Sequence, residues 1–152
     1  VNLNYSGFDS GKAENPGDEL IRTLGFDSAT HYQFAHFTDM NREYADIAAD
    51  AEREWQRIDS TYTFTFYPHV SVGWDNSPRT GSSPVVRNNT PDAFAEALRK
   101  ARAYADSHPD RAPLITINSW NEWTETSYLM PCDKFGYGYL EAVKKVFVDE
   151  TR

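Results

Sequence analysis

Two carboxylates three residues apart, Glu122 and Glu125, follow a short apolar run at residues 114–118 that reads L-I-T-I-N. Trp120, Asn121 and Trp123 crowd into the same stretch, N-S-W-N-E-W-T-E. The spacing decides whether the pair could work together. On an extended strand the two side chains would lie roughly 10 Å apart on opposite faces, because each residue rises about 3.3 Å and side chains alternate. In a helical or 3₁₀ turn, positions i and i+3 face the same way with Cβ atoms about 5 to 6 Å apart, which suits two carboxylates acting on one substrate. The plainer reading is that both are solvated loop charges, or helix-start residues favoured by the helix dipole. The flanking tryptophans and the position at a strand end favour a site.

Two more polar clusters follow apolar runs in the same way. His31, Tyr32, Gln33 and His36 gather near the end of the run at residues 26–32, and G-W-D-N-S-P-R places Trp74, Asp75, Asn76 and Arg79 after the run at 61–72. Trp74, Asp75, Asn76 and Arg79 are expected to reach the same cleft as Glu122, with Arg79 or a backbone amide of that loop holding the turn in place. The alternative is a local surface pair between Asp75 and Arg79, worth little.

The elements that must position these clusters alternate. Residues 1–8 alternate apolar and polar like a half-buried strand. A short helix over 18–24, closed by Gly25, precedes a strand over 26–32. Residues 40–60 carry Tyr44, Ile47, Ala48, Ala51, Trp55 and Ile58 on one helical face. Residues 61–72 are dense in β-formers and interrupted by Pro68. Thr90 and Pro91 are suited to N-cap and N1 of a helix running to about 107, with Phe94, Ala97, Leu98, Ala101, Tyr104 and Ala105 inside. A strand over 114–119 and a helix over 137–148, with Leu140, Val143 and Phe147 inside, complete four strand–helix units. Alternation of this kind predicts an α/β fold of parallel strands with right-handed helical crossovers. In a (β/α)8 barrel the C-terminal ends of the strands form the active face, so the three polar clusters would converge on one mouth. An open doubly wound sheet would usually bring a Gly-rich phosphate loop, and no G-x-G-x-x-G or P-loop is present. Four units make half of a barrel of roughly 250 residues.

Composition narrows the partners. The chain has 152 residues, and 15 basic against 23 acidic residues give a net charge of -8. That balance argues against nucleic acid, whose binding rests on neutralising phosphates, and against an anionic membrane surface. Aromatics make up 14% of the chain, with 4 Trp and 9 Tyr, and amphipathic rings of this kind suit a sugar cleft as well as a core. No apolar run is long enough to span a membrane and no signal peptide opens the sequence. Cys132 is the single cysteine, so no internal disulfide forms. His31, His36, His69 and His108 show no H-E-x-x-H spacing, which leaves only carboxylate-rich Ca²⁺ or Mg²⁺ sites conceivable, and no metal or other cofactor is expected. Asn4-Tyr5-Ser6 and Asn88-Asn89-Thr90 match the glycosylation acceptor pattern, a match frequent by chance, and no function is attached to either.

The W-N-E-W-T-E segment, the Y-L-M-P and F-G-Y-G-Y-L-E-A-V-K-K that follow it, the earlier G-W-D-N-S-P-R, and L-G-F-D-S-A-T-H-Y-Q-F together resemble the WbsX-type proteins. Those are often labelled glycosyltransferases and are related to the family 99 glycoside hydrolases, endo-acting α-mannosidases with a (β/α)8 barrel. The resemblance runs from about Leu24 to Phe147. It implies that the chain is one domain, the second half of a larger catalytic barrel, acting on an oligosaccharide or polysaccharide, with the other half supplied by missing chain or by a second copy. The hydrolases carry N-E-W-x-E, which places their two catalytic glutamates at Glu122 and Glu125. Glu125 would be the general acid and base at the glycosidic oxygen. Glu122 would assist the sugar's own 2-hydroxyl in attacking the anomeric carbon, giving an anhydro-sugar intermediate and net retention, unlike the ordinary scheme with a carboxylate nucleophile. Trp74, Asp75, Asn76, Arg79, Trp120, Asn121, Trp123, His31 and Tyr32 would contact the substrate. Thr124 stands where the hydrolases commonly have histidine, which bears on mannoside specificity. Two other readings compete: glycosyl transfer, which would need a sugar-nucleotide site, and a non-catalytic carbohydrate-binding domain.

Overall fold

The computed structural model describes residues 16–150, and the strand expected over 1–8 lies outside them. Helix α1, Pro16–Leu24, ends where Gly25 turns left-handed at φ +73°. The amides of Gly25 and Phe26 then close onto the carbonyls of Arg22 and Ile21 at 3.1 and 3.0 Å, a Schellman-type stop. Strand β1, Ser28–Thr30, follows, and a 3₁₀ turn at Phe34–His36 leads to helix α2, Tyr44–Thr61.

Helix α2 starts four residues later than its sequence pattern suggests and runs one past the expected 60. Its start is set from outside. Glu43 pairs with Arg87 by a parallel bridge, and Tyr44 N donates to Arg87 O at 2.8 Å, so Glu43 is held in extended backbone just before the helix. At the other end the hydroxyls of Ser60 and Thr61 donate to Arg57 O at 2.9 and 2.7 Å. The six predicted core positions of α2 are all buried.

The long β run splits at Pro68 into β2, Thr65–Tyr67, and β3, His69–Ser71. Proline has no N–H for a ladder, and the strand uses the break to change neighbours. β2 pairs in parallel with β1, while β3 pairs in parallel with β4, Thr116–Asn118. The Pro68 carbonyl still accepts from Thr116 N at 3.1 Å. The two-stranded parallel ladders β1–β2 and β3–β4 thus meet at Pro68, with β2 and β3 consecutive along the chain. Thr30 and Thr116, on β1 and β4, bring their hydroxyls to 2.8 Å. Flanking strands that meet in this way have curled toward each other, as layers of inward side chains from alternate strands do in a (β/α)8 barrel.

Between β3 and β4 lie a short helix α3, Ser77–Thr80, and helix α4, Pro91–Asp106. Thr90 caps α4 by accepting from Ala93 N at 3.3 Å. Phe94, Ala95, Ala97, Leu98 and Ala101 are its buried residues, and Tyr104 is partly buried against the core. After β4 a small antiparallel pair, β5 (Asn121–Glu122) and β6 (Ser127–Tyr128), encloses a 3₁₀ turn at Trp123–Glu125. The last helix, α5, spans Gly138–Lys144 and continues as a π turn over Lys145–Asp149. Its fully buried positions are Tyr139, Ala142 and Val146; of the expected Leu140, Val143 and Phe147, the last two pack partly buried against the core. Tyr139 sets this rotation: its ring meets Phe94 edge-on at 5.6 Å and its hydroxyl donates to Asn89 O.

Candidate functional site

All three polar clusters follow the C-terminal ends of parallel strands, β1, β3 and β4, in ladders joined through Pro68. The turn carrying the two glutamates begins directly after β4, where the Asn118–Ser119 peptide is cis. Ser119 organises it, its hydroxyl donating to Ser127 O at 2.9 Å and accepting from Glu122 N at 3.2 Å. Glu122 then caps the 3₁₀ turn that Glu125 ends, and in such a turn residues three apart are eclipsed. Thr126 closes it with φ +52°, a conformation uncommon for a β-branched residue. Its amide donates to Trp123 O at 3.2 Å.

The loop after β3 fastens this turn from the other side. Asp75 N donates to Glu125 O at 2.8 Å. Arg79, on α3, donates through Nη1 to Glu125 Oε1 at 3.0 Å and through Nη2 to Glu122 Oε1 at 3.3 Å. Nη2 also reaches Thr124 Oγ1 at 2.6 Å, and the Thr124 hydroxyl in turn donates to Glu122. One guanidinium thus holds both carboxylates on the same side, as the helical rather than the extended option requires. The two differ in surroundings: the Glu125 side chain is 10% exposed and that of Glu122 33%. Glu125 Oε2 is buried and has no hydrogen-bond partner among the described residues.

Gly73 allows the close approach. A Cβ at this position would stand 2.8 Å from Thr126 O and 2.4 Å from Asn89 Nδ2, distances no side chain tolerates without displacement. Beneath, Gln33 Nε2 donates to Gly73 O and to Asn118 Oδ1, both at 3.3 Å, tying the loop after β1 to β3 and β4.

The remaining candidates are distributed around this group. Trp123 is stacked on Tyr128 with centroids 4.0 Å apart, and Trp120 and Trp123 are both exposed. Asn121 is exposed and paired with Tyr128 in β5. Asp75 turns its carboxylate to Ser77, accepting from its amide at 2.9 Å, so it makes no pair with Arg79. Trp74 and Asn76 face a separate cleft beside the turn. His31 is buried against Phe37 and Phe66, at ring distances of 4.5 and 5.1 Å. Burial, with His36 and Arg57 nearby, lowers its pKa to about 3. Tyr32 is exposed and lines, with His31 and His69, a cavity of about 110 Å³ above the sheet.

Two residues that the sequence reading names without giving them a substrate contact belong to the group. Thr124 bridges Arg79 and Glu122 through its hydroxyl. His36 lies close enough to feel the Glu125 charge, which raises its pKa while burial lowers it further. Thr124 could have been found as the residue between the two glutamates; His36 had no signal beyond its cluster. His69, in β3, is fully enclosed, bonded to Thr116 Oγ1 and Ser71 Oγ at 2.9 Å each, and burial keeps its imidazole well below its ordinary range. Among the described residues no group of three or more His, Cys, Asp or Glu could hold a metal ion, and no helix is long and apolar enough to cross a membrane.

A partial (β/α)8 barrel with a polar, carboxylate-bearing C-terminal face is the class of fold these elements define. The solved GH99 endo-alpha-mannosidase from Bacteriodes thetaiotaomicron, in complex with BIS-TRIS-Propane, has a similar fold, with a TM-score of 0.53 at 21% identity, covering 91% of this chain and 44% of that one. The family described as Glycosyltransferase WbsX matches residues 10–143, and the chain belongs to that family. It is also 30% identical over 105 residues to the uncharacterized protein WxcX from two strains of Xanthomonas campestris pv. campestris. That stretch is 68% of this chain and 14% of WxcX, so the chain spans a small part of those relatives and under half of the solved mannosidase.

Proposed function

We propose that this chain supplies the two working carboxylates of a glycoside hydrolase that cleaves an oligosaccharide or polysaccharide with net retention. The observation that carries the reading is the fork of Arg79 on Glu122 and Glu125. It puts both groups on one side of one turn, at the strand ends where barrel enzymes hold their sites. In this reading the glycosidic C1–O bond breaks as Glu125 gives a proton to the leaving oxygen. Glu122 takes the proton of the 2-hydroxyl while that oxygen bonds to C1. Water then opens the anhydro ring, Glu125 accepting the water's proton and Glu122 returning one to O2. Glu125 Oε2, engaged by no donor, is the oxygen suited to carry the transferred proton. Trp120 and Trp123 offer exposed indole faces to sugar rings, and the exposed Arg79, Asn121 and Tyr32 are the further candidates for substrate contact.

The barrel is completed by further strands. Among the described residues β1 and β4 each pair on one side only, and such edges bind another strand readily. A further segment of the same protein, or a second copy, fills that place.

The family's description favours a second reading, glycosyl transfer. A sugar nucleotide needs cations or a helix N-terminus for its diphosphate, and Arg79 is already committed to two carboxylates. The test is to follow the full natural chain with neutral oligosaccharides by proton NMR of the anomeric signals. A first-formed product of retained configuration, released without any nucleotide sugar, supports hydrolysis as proposed. An inverted product, or turnover only when a nucleotide sugar is added, overturns it.

A further inference from the structure

Arg79 and Thr124 meet on one oxygen of Glu122. Arg79 Nη2 reaches Glu122 Oε1 at 3.3 Å and Thr124 Oγ1 at 2.6 Å, and the Thr124 hydroxyl bonds to the same Oε1. The direction of each bond is forced. A guanidinium only donates and a hydroxyl carries a single hydrogen, so Thr124 accepts from Arg79 and gives its own hydrogen to the carboxylate. Oε1 therefore receives two donors, which fill both of its acceptor positions. Glu122 Oε2 makes no hydrogen bond among the described residues.

The two glutamates are held by different means. Glu125 is buried, and its carbonyl is fixed by Asp75 N at 2.8 Å, so packing and backbone contacts place it. Glu122 is only half-buried and makes no side-chain cap bond to the turn that it precedes. Among the described residues its carboxylate is held by Arg79 and Thr124 alone. The direct Arg79 contact is longer than the roughly 2.7 to 2.9 Å of a strong charge-assisted bond, and the route through Thr124 is the shorter one. Thr124 sits within the 3₁₀ turn, between Trp123 and Glu125. Its branched side chain has few χ1 choices, so the hydroxyl is presented already oriented.

We propose that Thr124 is a positioning residue for Glu122: its hydroxyl and Arg79 anchor Oε1, and Oε2 is the oxygen left to take the proton of the sugar's 2-hydroxyl. The electron pair of that O–H bond becomes the bond from O2 to C1, and the pair of the C1–O bond leaves with the glycosidic oxygen. Oε2 returns its proton to O2 when water opens the ring. The inference rests on the hydrolase reading for what Oε2 does, while the way Glu122 is held is measured without turnover.

The experiment uses the full natural chain with Thr124→Val, which keeps the branched shape and removes the hydroxyl, and with Thr124→Ser, which keeps the hydroxyl. Turnover is followed on an aryl glycoside, and the protein is labelled for NMR at its glutamate carboxyl carbons, the Glu122 signal being assigned by Glu122→Gln. Thr124→Val moves the Glu122 carboxyl signal and lowers kcat about tenfold or more, the scale of a misplaced reacting group, with KM within about twofold. The thermal midpoint stays where it was, because Thr124 is exposed, and Thr124→Ser recovers most of the rate. Added to Glu122→Gln, Thr124→Val costs nothing further, as expected of residues that act as a unit. A Glu122 signal that Thr124→Val does not move overturns the proposal. So does a loss of rate that serine fails to recover or that follows the thermal midpoint, and so does an unchanged kcat where Glu122→Gln lowers it. A moved signal in a protein whose turnover ignores Glu122→Gln keeps the hold of Thr124 on Glu122 and removes the hydrolase reading.

Discussion

Arg79 Nη1 and Glu125 Oε1 meet at 3.0 Å across 46 residues of sequence, joining the loop after β3 to the turn after β4. The bond sits at the rim, with the Arg79 side chain 49% exposed, so it adds little to folding. Exposed pairs are worth about 0.2 to 1 kcal/mol. Its consequence lies in geometry, because the second nitrogen of the same guanidinium holds Glu122.

Arg79→Ala is therefore expected to change stability by less than about 1 kcal/mol while lowering turnover about 10²-fold, the scale of a misplaced reacting group. Arg79→Lys keeps the charge and loses the fork, so it recovers only part of the rate. Thermal unfolding and kcat measured side by side check this. Equal, large losses in both would mean that Arg79 is a structural residue.

Gly73→Ala is expected to cost about 1 to 3 kcal/mol, the usual range for forced overpacking. Its Cβ meets the Thr126 carbonyl, which cannot rotate away, and the Asn89 amide, which can. Adding Asn89→Ala should recover only part of the loss, although Asn89 Nδ2 also donates to Val72 O at 3.2 Å. Midpoints of denaturant unfolding measure both, and a neutral Gly73→Ala would show that the two loops are not held at this distance.

Acid should destabilise the fold before its carboxylates titrate. His31 and His69 are buried and their pKa values lie below the ordinary range, His31 at about 3. Between that value and about 6.5 the unfolded chain binds more protons than the folded one. Stability is thus complete above about pH 6.5 and falls on acidification, by up to about 1.4 kcal/mol per pH unit for each ring. His69→Gln should remove about half of that slope. Unfolding free energies at pH 7.5, 6.5 and 5.5, expressed as a slope, are the measurement, and a flat profile contradicts the burial of both rings.

What was legible in the sequence was whatever depended on local period. The stripe of α2 is complete because six apolar residues recur at helical spacing whatever lies opposite them. The relation of Glu122 to Glu125 is likewise local, a choice between two turn geometries. The face of α5 is only partly legible, because its orientation is set by Tyr139 reaching Asn89 and Phe94, which buries Tyr139, Ala142 and Val146 most deeply and leaves Val143 and Phe147 at the edge of the core. The split at Pro68 was visible as a break, but the change of partner strand needed the third dimension. The parts played by Thr124 and His36 are not legible in the sequence, since each acts through a neighbour that is distant or charged, and no spacing encodes that.

The central claim is that Glu125 transfers a proton at the glycosidic oxygen with Glu122 beside it, and leaving-group dependence tests it most directly. Glu125→Gln and Glu122→Gln are assayed in the full natural chain on a glycoside with a poor leaving group and on one with an activated aryl leaving group. For Glu125→Gln the poor leaving group should lose about 10² to 10⁴ in rate, the usual worth of general acid catalysis, and the activated one much less, while Glu122→Gln slows both. Equal losses on the two substrates for Glu125→Gln would contradict the acid role, and unchanged turnover in both variants would contradict the site.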